Sequence, residues 1–585
     1  MDKINIAAGI WIIMIGMLCV VFPVAALDVA LPSQFFDYNI DVNNNPAEGY
    51  NYMAPGSRTP ARLPYHYLVI MDNEGVIKYF KKSKLGSYYL DFVPFPDLRL
   101  IAYADMARDL YYFYIMDLTY TIIDSVHTTE NYSMDLHELL ILGEGENRRY
   151  WIIGNDNRAI DMSEIVEDGD PEAIIRGMVV QELDSEQDVV WEWNSLDHLD
   201  EIPITDSMSD LTSDYIDYLH TNAIELDFDG NILLSQRSIN AVTKIDYESH
   251  EVIWTWGGGP GNMFDFINDF EEDSAFYMQH DIRRLENGNI SIFDNGNFHS
   301  PRRSYAKVYD LDEENLTATL VWSHSQDPLS YSGSRGSHRI IDNGNHLIGW
   351  GTGTTDIFTT EVSNDGTVEW QISFDETPDS NSVYDYRAYR STMIGTAAVP
   401  YVCEESDEEE ITLYCNWFGH EDEVMSYNVY LDDISEPVDF FANTETGIYE
   451  ITGLTSEIDY HVRIKAVGDG GAEISDYSND IIVRFESEIV EDESSSGSMD
   501  FVLDQNYPNP FNNNTIIQYY IPESVQVSLR VYNIKGQEIT TLLNGKQSAG
   551  TNSVVFDASG LANGIYFYKL YSPIFNSTGK MLLVK

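Results

Sequence analysis

One phrase recurs along the first two thirds of this chain and limits its fold more than any other feature. It runs from a histidine, through an Asn-Gly or Asp-Gly turn and a short apolar strand, to a closing strand that carries tryptophan. LHTNAIELDFDGNILLSQ begins at 219 and its unit closes at Trp254; QHDIRRLENGNISIFDNGN begins at 279 and closes at Trp322; GSHRIIDNGNHLIGWG begins at 336 and closes at Trp370. An earlier copy holds His137 in DLHELLIL and ends at Trp193. The leading histidines stand 60 residues apart (220 to 280) and then 58 (280 to 338). A unit of about four short strands cannot bury its own apolar face, and repetition at this spacing stacks such units into a β-propeller. Two more units fit upstream, around YHYLVIMDNEGVIKYF (65–80) and YYLDFVPFPDLRLIAYAD (88–105), which gives six blades over residues 27–395. YDYRAYRS (384–391) is expected to supply the strand that closes the ring. No long window keeps a 3.6-residue apolar period, which excludes a mainly helical fold. The Asn-Gly turns and the recurring tryptophans read as structural.

In a propeller the innermost strand of every blade lines the central channel, so residues at equivalent strand starts converge on one axis. His137, His220, His280 and His338 are therefore expected to face one another across it. A single histidine at a blade start is more often a packed structural residue. Four of the 13 histidines at the same place in the repeat point instead to a site.

The two ends carry different information. MDKINIAAGIWIIMIGMLCVVFPVAALD has Lys3, an apolar run from Ile10 to Phe22, and small residues Val24-Ala25-Ala26 before Leu27; residues 1–26 read as a secretory signal peptide. No later stretch approaches 18 apolar residues, so no membrane span is expected in the mature chain. Residues 397–486 form a second all-β unit, in which Leu454, Tyr460, Val462, Ile464 and Ala466 alternate as a sandwich core requires. With Trp417 and the YNVYLDD strand this unit resembles a fibronectin type III domain, with a spacing or loosely adhesive role. Cys403 and Cys415 within it either pair across neighbouring strands or stay as buried free thiols. Residues 487–500 are an acidic, Ser-rich linker. In 501–585, Val525, Val527, Leu529 and Val531 share one strand face, and turns interrupt further short strands. NYPNPF, then YNIKGQEI, then GIYFYKL make this stretch resemble the type A sorting domain of the type IX secretion system. The resemblance implies passage through the periplasm and outer membrane to a secreted or cell-surface location, with that secretion machinery as a partner. The expected fold class is thus all-β: a six-bladed β-propeller plus two small β-sandwich domains.

Lys and Arg number 33 against 96 Asp and Glu, a formal charge of −63. Such a chain repels nucleic acid and anionic membrane surfaces. An anionic substrate must find a locally positive pocket on it. No nucleotide, flavin or metal signature is present, so no cofactor and no metal ligand are assigned. Asp41-Val-Asn43-Asn-Asn45 echoes a calcium loop, but Pro46 stands at the glycine position and Tyr52 replaces the bidentate Glu.

The series His-x-Asn, Gln-Arg, IWTWGGG, QHD, FDNGN, RRSYA, NGNHLIGWG and YRAYR, in that order, resembles the arylsulfotransferase family, closely over residues 215–395 and loosely before. The resemblance implies a six-bladed propeller that moves a sulfuryl group from an aryl sulfate to a phenolic acceptor through a sulfated histidine, without a nucleotide donor. Residue by residue, the nucleophile falls on His280 of QHD, and His-x-Asn on His220 and Asn222. The arginine of the following strand falls on Arg237, and an earlier channel histidine on His137. His280, His220 and Arg237 are the implied catalytic residues; Asn222, His137 and His338 are implied to bind substrate. These residue types suit the chemistry. Neutral imidazole is a competent nucleophile, a second histidine can protonate the departing phenol, and guanidinium suits sulfate oxygens. The alternative is a secreted, non-catalytic propeller that binds a ligand or glycan at the cell surface; such a module would be free to lose the His-x-Asn, Arg and QHD set.

Overall fold

The computed structural model describes residue 27 and residues 29–485 and 502–583, apart from short internal stretches of which the longest are 58–64, 205–209, 270–275 and 375–382. The expected signal peptide (1–26) and acidic linker (487–500) lie outside the described residues.

Six sheets make the propeller. From the axis outwards, blade I orders Tyr389–Ser391, Tyr50–Met53, Tyr67–Met71 and Ile77–Lys82; blade II runs Ser87–Phe95, Leu100–Ala107, Leu110–Met116, Ile122–Val126. Blade III runs Ser133–Leu142, Arg149–Ile160, Ala173–Leu183, Val189–Asn194, and blade IV Thr221–Leu226, Ile232–Gln236, Ala241–Ile245, Val252–Gly257. Blade V runs His280–Arg284, Ile290–Asp294, Tyr305–Asp312, Thr317–His324, with Asp265–Ile267 at its outer edge. Blade VI runs Ser337–Ile340, His346–Gly349, Ile357–Val362, Val368–Phe374, and takes Tyr38–Asn43 as its outermost strand. The ring closes twice. The YDYRAYRS segment gives blade I its innermost strand, as expected, and a strand from before blade I completes blade VI. Ring closure leaves few sheet edges exposed.

The recurring tryptophans have a common task. In each case an outer-strand indole N–H donates to the outer turn of the next blade: Trp193 to the His250 carbonyl (3.1 Å), with Trp191 of the same strand on the Tyr247 carbonyl (2.8 Å), Trp254 to Glu313 (3.0 Å), Trp322 to the Asn364 carbonyl (3.3 Å), Trp370 to the Asn73 carbonyl (2.9 Å). Each ring buries apolar area between blades while its single donor stays satisfied. The Asn-Gly turns work locally; Gly288 (φ +90°) and Gly344 (φ +82°) sit where a β-carbon would be strained.

The axis between the inner strands is filled by charge. Arg387 meets Asp91 (2.8 Å), Glu138 (3.0 Å) and Asp281 (3.2 Å); Arg283 meets Glu138 and Asp281 (2.8 Å each); Arg339 meets Asp281 (2.8 Å). The Arg387 guanidinium also donates to the Asn222 carbonyl of blade IV (2.7 Å), so every blade contributes to the plug. Coulombic attraction from Arg339, Arg283 and Arg387 overcomes burial and lowers the Asp281 carboxyl to about 2.

Residues 401–483 build a sandwich of two sheets, Tyr401–Ser406, Ile411–Asn416, Ile448–Ile451 against Phe440–Thr444, Ser426–Asp432, Tyr460–Val467, Ile481–Val483. This unit packs against blade I. Phe418 packs edge-on against Tyr79 (5.2 Å) and Phe80 (5.4 Å) of blade I, Tyr401 packs on Phe80 (5.6 Å), and Asn416 exchanges two hydrogen bonds with the backbone of Ala30 (2.8 and 3.0 Å). One apolar core runs from blade I through the contact into the sandwich. Both cysteines are free. Cys403 pairs in register with Tyr414 and Cys415 with Val402, so the two thiols point to opposite sheet faces. Burial pushes the Cys403 thiol up to about 12.

Residues 502–583 form a separate sandwich, Val502–Leu503, Asn514–Ile521, Gly550–Asp557 against Glu538–Gln547, Val525–Asn533, Gly564–Tyr571, Asn576–Leu583. Val527, Leu529 and Val531 are buried in its own core.

Candidate active site

Bulges aim the site. In blades II to V the pairing of the innermost strand slips, between Leu90 and Phe92, Asp135 and Leu139, Thr221 and Ala223, and His280 and Arg283. A bulge takes a residue out of the ladder and re-aims it. His220 (φ +49°) and Asp281 (φ +55°) hold left-handed backbone there, a conformation side-chain-bearing residues seldom adopt. Blade VI has no such slip, for Ser337–Ile340 pairs without interruption with His346–Gly349.

That difference sorts the four histidines. His137, His220 and His280 line one cavity of 680 Å³ at the axis, together with Arg237. His338 does not. It stays in its ladder, stacked on Trp322 (ring centroids 5.3 Å) and 2.9 Å from His346 Nδ1, and burial drives it down to about 3. The expectation that it binds substrate gives way to a packing role. Asn222 is also off the cavity wall. Its side chain donates to the Gln279 carbonyl (2.7 Å) and its own carbonyl accepts from Tyr386 (3.1 Å), so it pins the segment entering His280 instead of touching a ligand.

His280 is buried and held in one tautomer. Asn295 Nδ2 donates to the carbonyls of Ser332 and Arg335 (2.8 Å each), which leaves Asn295 Oδ1 to accept the Nδ1–H of His280 (2.7 Å). Nε2 is therefore the bare nitrogen, accepting from the backbone N–H of Arg335 (3.2 Å). Burial, then the nearby Arg237 cation, keep this histidine well below its ordinary value, against the Asn295 hydrogen bond. It is neutral at physiological pH.

The other two histidines are each bonded to a carboxylate. His137 Nδ1 donates to Asp135, and His220 Nδ1 to Asp217 (2.7 Å); the two rings meet edge to face at 4.9 Å. Burial raises the Asp135 carboxyl, but His137, Arg176 and His220 together hold it well below the usual range. Burial lowers His220, with Asp217 opposing. Arg237 Nη2 reaches the carbonyl of Gly333 (3.2 Å), 96 residues further along the chain, and its buried Nε has no partner among the described residues. Burial lowers it to about 10, so it remains a cation at neutral pH. Leu90, Met106, Met134 and Leu136 give the cavity an apolar wall.

Several of these residues escaped the sequence reading. Asn295 was visible within FDNGN, and Asp135 and Asp217 precede their histidines in DLH and DYLH. Nothing in the sequence marks Arg176, whereas Tyr386 opens the YRAYR motif.

A family model described as arylsulfotransferase (ASST) matches residues 107–375, and one described as secretion system C-terminal sorting domain matches 505–585. Nothing among the curated proteins matches the chain. Solved structures it is similar to include a protein of unknown function from Bacteroides caccae, at 11% identity and a TM-score of 0.36, covering 59% of this chain and all of that one. Another is a catalytically inactive virginiamycin B lyase from Staphylococcus aureus with quinupristin, at 9% identity and a TM-score of 0.28, covering 65% of this chain and 97% of that one. The chain thus joins an arylsulfotransferase-family domain, which carries the three histidines, Arg237 and their carboxylate partners, to a type IX sorting domain that directs it to the cell surface or the extracellular space.

Proposed function

We propose that this exported protein transfers a sulfuryl group from an aryl sulfate to a phenol through a sulfated His280. The observation that carries the reading is the fixed tautomer of His280, with Nδ1–H spent on Asn295 and the unprotonated Nε2 held only by the backbone N–H of Arg335, on the wall of a cavity that Arg237 also lines. His280 Nε2 attacks sulfur, the bond from sulfur to the aryl oxygen breaks, and the electron pair leaves on that oxygen. A histidinium of the His137 and His220 pair gives its Nε2 proton to the phenolate, and the phenol departs. In the second half an acceptor phenol returns a proton to the same pair, its oxygen attacks sulfur, and His280 is regenerated. By analogy with phosphoryl transfer, the transition state is loose and catalysis lies in positioning and in donors to the equatorial oxygens. Arg237 supplies such donors, and the backbone N–H of Arg335 is a second. The apolar wall suits an aryl ring.

The test is rapid quenching of the purified protein with a chromogenic aryl sulfate, without acceptor. A modification of roughly 80 mass units, one SO₃ group, is expected on the QHD peptide, discharged on adding phenol with ping-pong kinetics. Phenol release with no modified histidine would overturn the covalent mechanism, and no release from any aryl sulfate would overturn the activity.

A further inference from the structure

Arg176 sits behind both histidine pairs. Its Nη2 donates to Asp135 Oδ2 (3.0 Å), its Nη1 to Asp217 Oδ2 (3.2 Å), and its Nε to Asn155 Oδ1 (2.8 Å). The other oxygen of Asp135 takes His137, while Oδ2 of Asp217 also takes His220. One guanidinium therefore joins two His–Asp pairs that come from blades III and IV and the segment between them.

We infer that Arg176 is a positioning residue that makes the two pairs one unit holding a single exchangeable proton. The argument rests on the transfer reading above only for its purpose; the coupling itself is electrostatic. Two carboxylates and one guanidinium leave one negative charge, which a single imidazolium cancels. A second imidazolium would place two cations in rings 4.9 Å apart in a half-buried cavity. Two neutral histidines would leave an uncompensated carboxylate there. The groups facing the unit reinforce this count. Arg237 and Arg335 add positive charge on the side of His280, which stays neutral, and Tyr111, Tyr215 and Tyr386 also face the unit. Glu138, next in sequence to His137, is already committed to Arg283 and Arg387 in the plug. With Arg237 counted, the site carries an excess positive charge that an aryl sulfate monoanion neutralises. One stored proton is what a transfer in two halves uses: it goes to the leaving phenol, and the negative unit left behind takes one back from the acceptor.

The test is an NMR titration of the His137 and His220 ring resonances in the full chain, with turnover measured in parallel. In the wild type, one proton is expected to be shared by both rings over one titration, the second entering only at much lower pH. Arg176→Gln should raise the shared titration by about one unit or more, because two protons are then needed for neutrality, and Arg176→Lys should restore it. Asp217→Asn should shift it the other way. These opposite signs keep the proposal exposed if one variant fails to fold. Two independent titrations in the wild type, or shifts of the same sign in Arg176→Gln and Asp217→Asn, would overturn it. A merely structural Arg176 would lower stability in Arg176→Gln and leave the titration in place. Coupled titration without turnover would sink the transfer reading and leave the coupling standing.

Discussion

Two levels of the same axis use charge in opposite ways. In the plug, Arg283, Arg339 and Arg387 each face carboxylates from other strands, and Asp91, Glu138, Asp281 and Arg387 are buried. At the cavity, Arg237 meets a carbonyl and no carboxylate among the described residues, and the unprotonated nitrogen of His280 accepts a single backbone N–H, that of Arg335. Both levels are built by inner strands of the same blades, a few residues apart: Asp281 belongs to the plug and His280 to the cavity. The bulge between them makes the division. Charges whose partners are all protein hold the blades together, and charges with unspent capacity wait for a ligand. Buried ions without a partner are costly, so such capacity survives only where something is to be bound.

The comparison breaks first at His280. His280→Ala should reduce phenol release to background, because no covalent intermediate can form, while the melting temperature changes little. If activity instead falls only in step with folded protein, the two levels do not differ. Next comes the plug. Arg387→Met strips Asp91 and Glu138 of a buried partner, and loss of about 3–5 kcal/mol is expected by denaturant unfolding, the usual cost of breaking a buried pair from one side. An unchanged midpoint would show that water or a neighbour compensates. Arg237→Met should sharpen the contrast from the other side. It removes a cation that has no ion pair among the described residues, so the fold should hold or gain, while turnover falls by a factor of about 10² to 10³.

The sequence made the blades legible and the plug invisible, for one reason. A repeat displays what every blade needs, namely a turn glycine, a strand and a tryptophan reaching the next blade, and those signals recur at fixed spacing. The plug uses a different residue from each blade, Asp91 in one, Glu138 in another, Arg387 in a third, and no periodicity marks them. The site fell between. The structure brings His137, His220, Arg237 and His280 to one cavity; three of them share the repeat position and all four share the family pattern. His338 shared that position and was misplaced, because register, not sequence, decides whether an inner-strand histidine faces the axis or its neighbours.

His338 gives the next prediction. It and its partner His346 (about 4), like His66 elsewhere (about 4), are held below the ordinary histidine value chiefly by burial. Each binds its proton more readily unfolded. The stability they contribute is therefore complete above about pH 6.5 and is lost as pH falls towards their folded values near 4 and 3. Unfolding free energy should decline between pH 6.5 and 4, and His338→Gln should flatten that decline if its amide fits between Trp322 and His346. A slope unaffected by removing any of the three would assign acid sensitivity to other groups.

The smallest effect concerns the surface, against which both axial levels are interior. A formal charge of −63 repels itself across exposed carboxylates, and salt shortens the range of that repulsion from about 10 Å at about 0.1 M to about 3 Å at about 1 M. The melting temperature should rise by a few degrees over this range, since buried pairs are screened far less than exposed like charges. The same increment is expected in Arg387→Met, because the uncompensated carboxylates of the plug are out of reach of the ions. A flat salt series in the wild type would mean that the acidic residues are spread too thinly to repel. A larger increment in the variant would mean that salt reaches the axis, and that the plug is not sealed as its burial indicates.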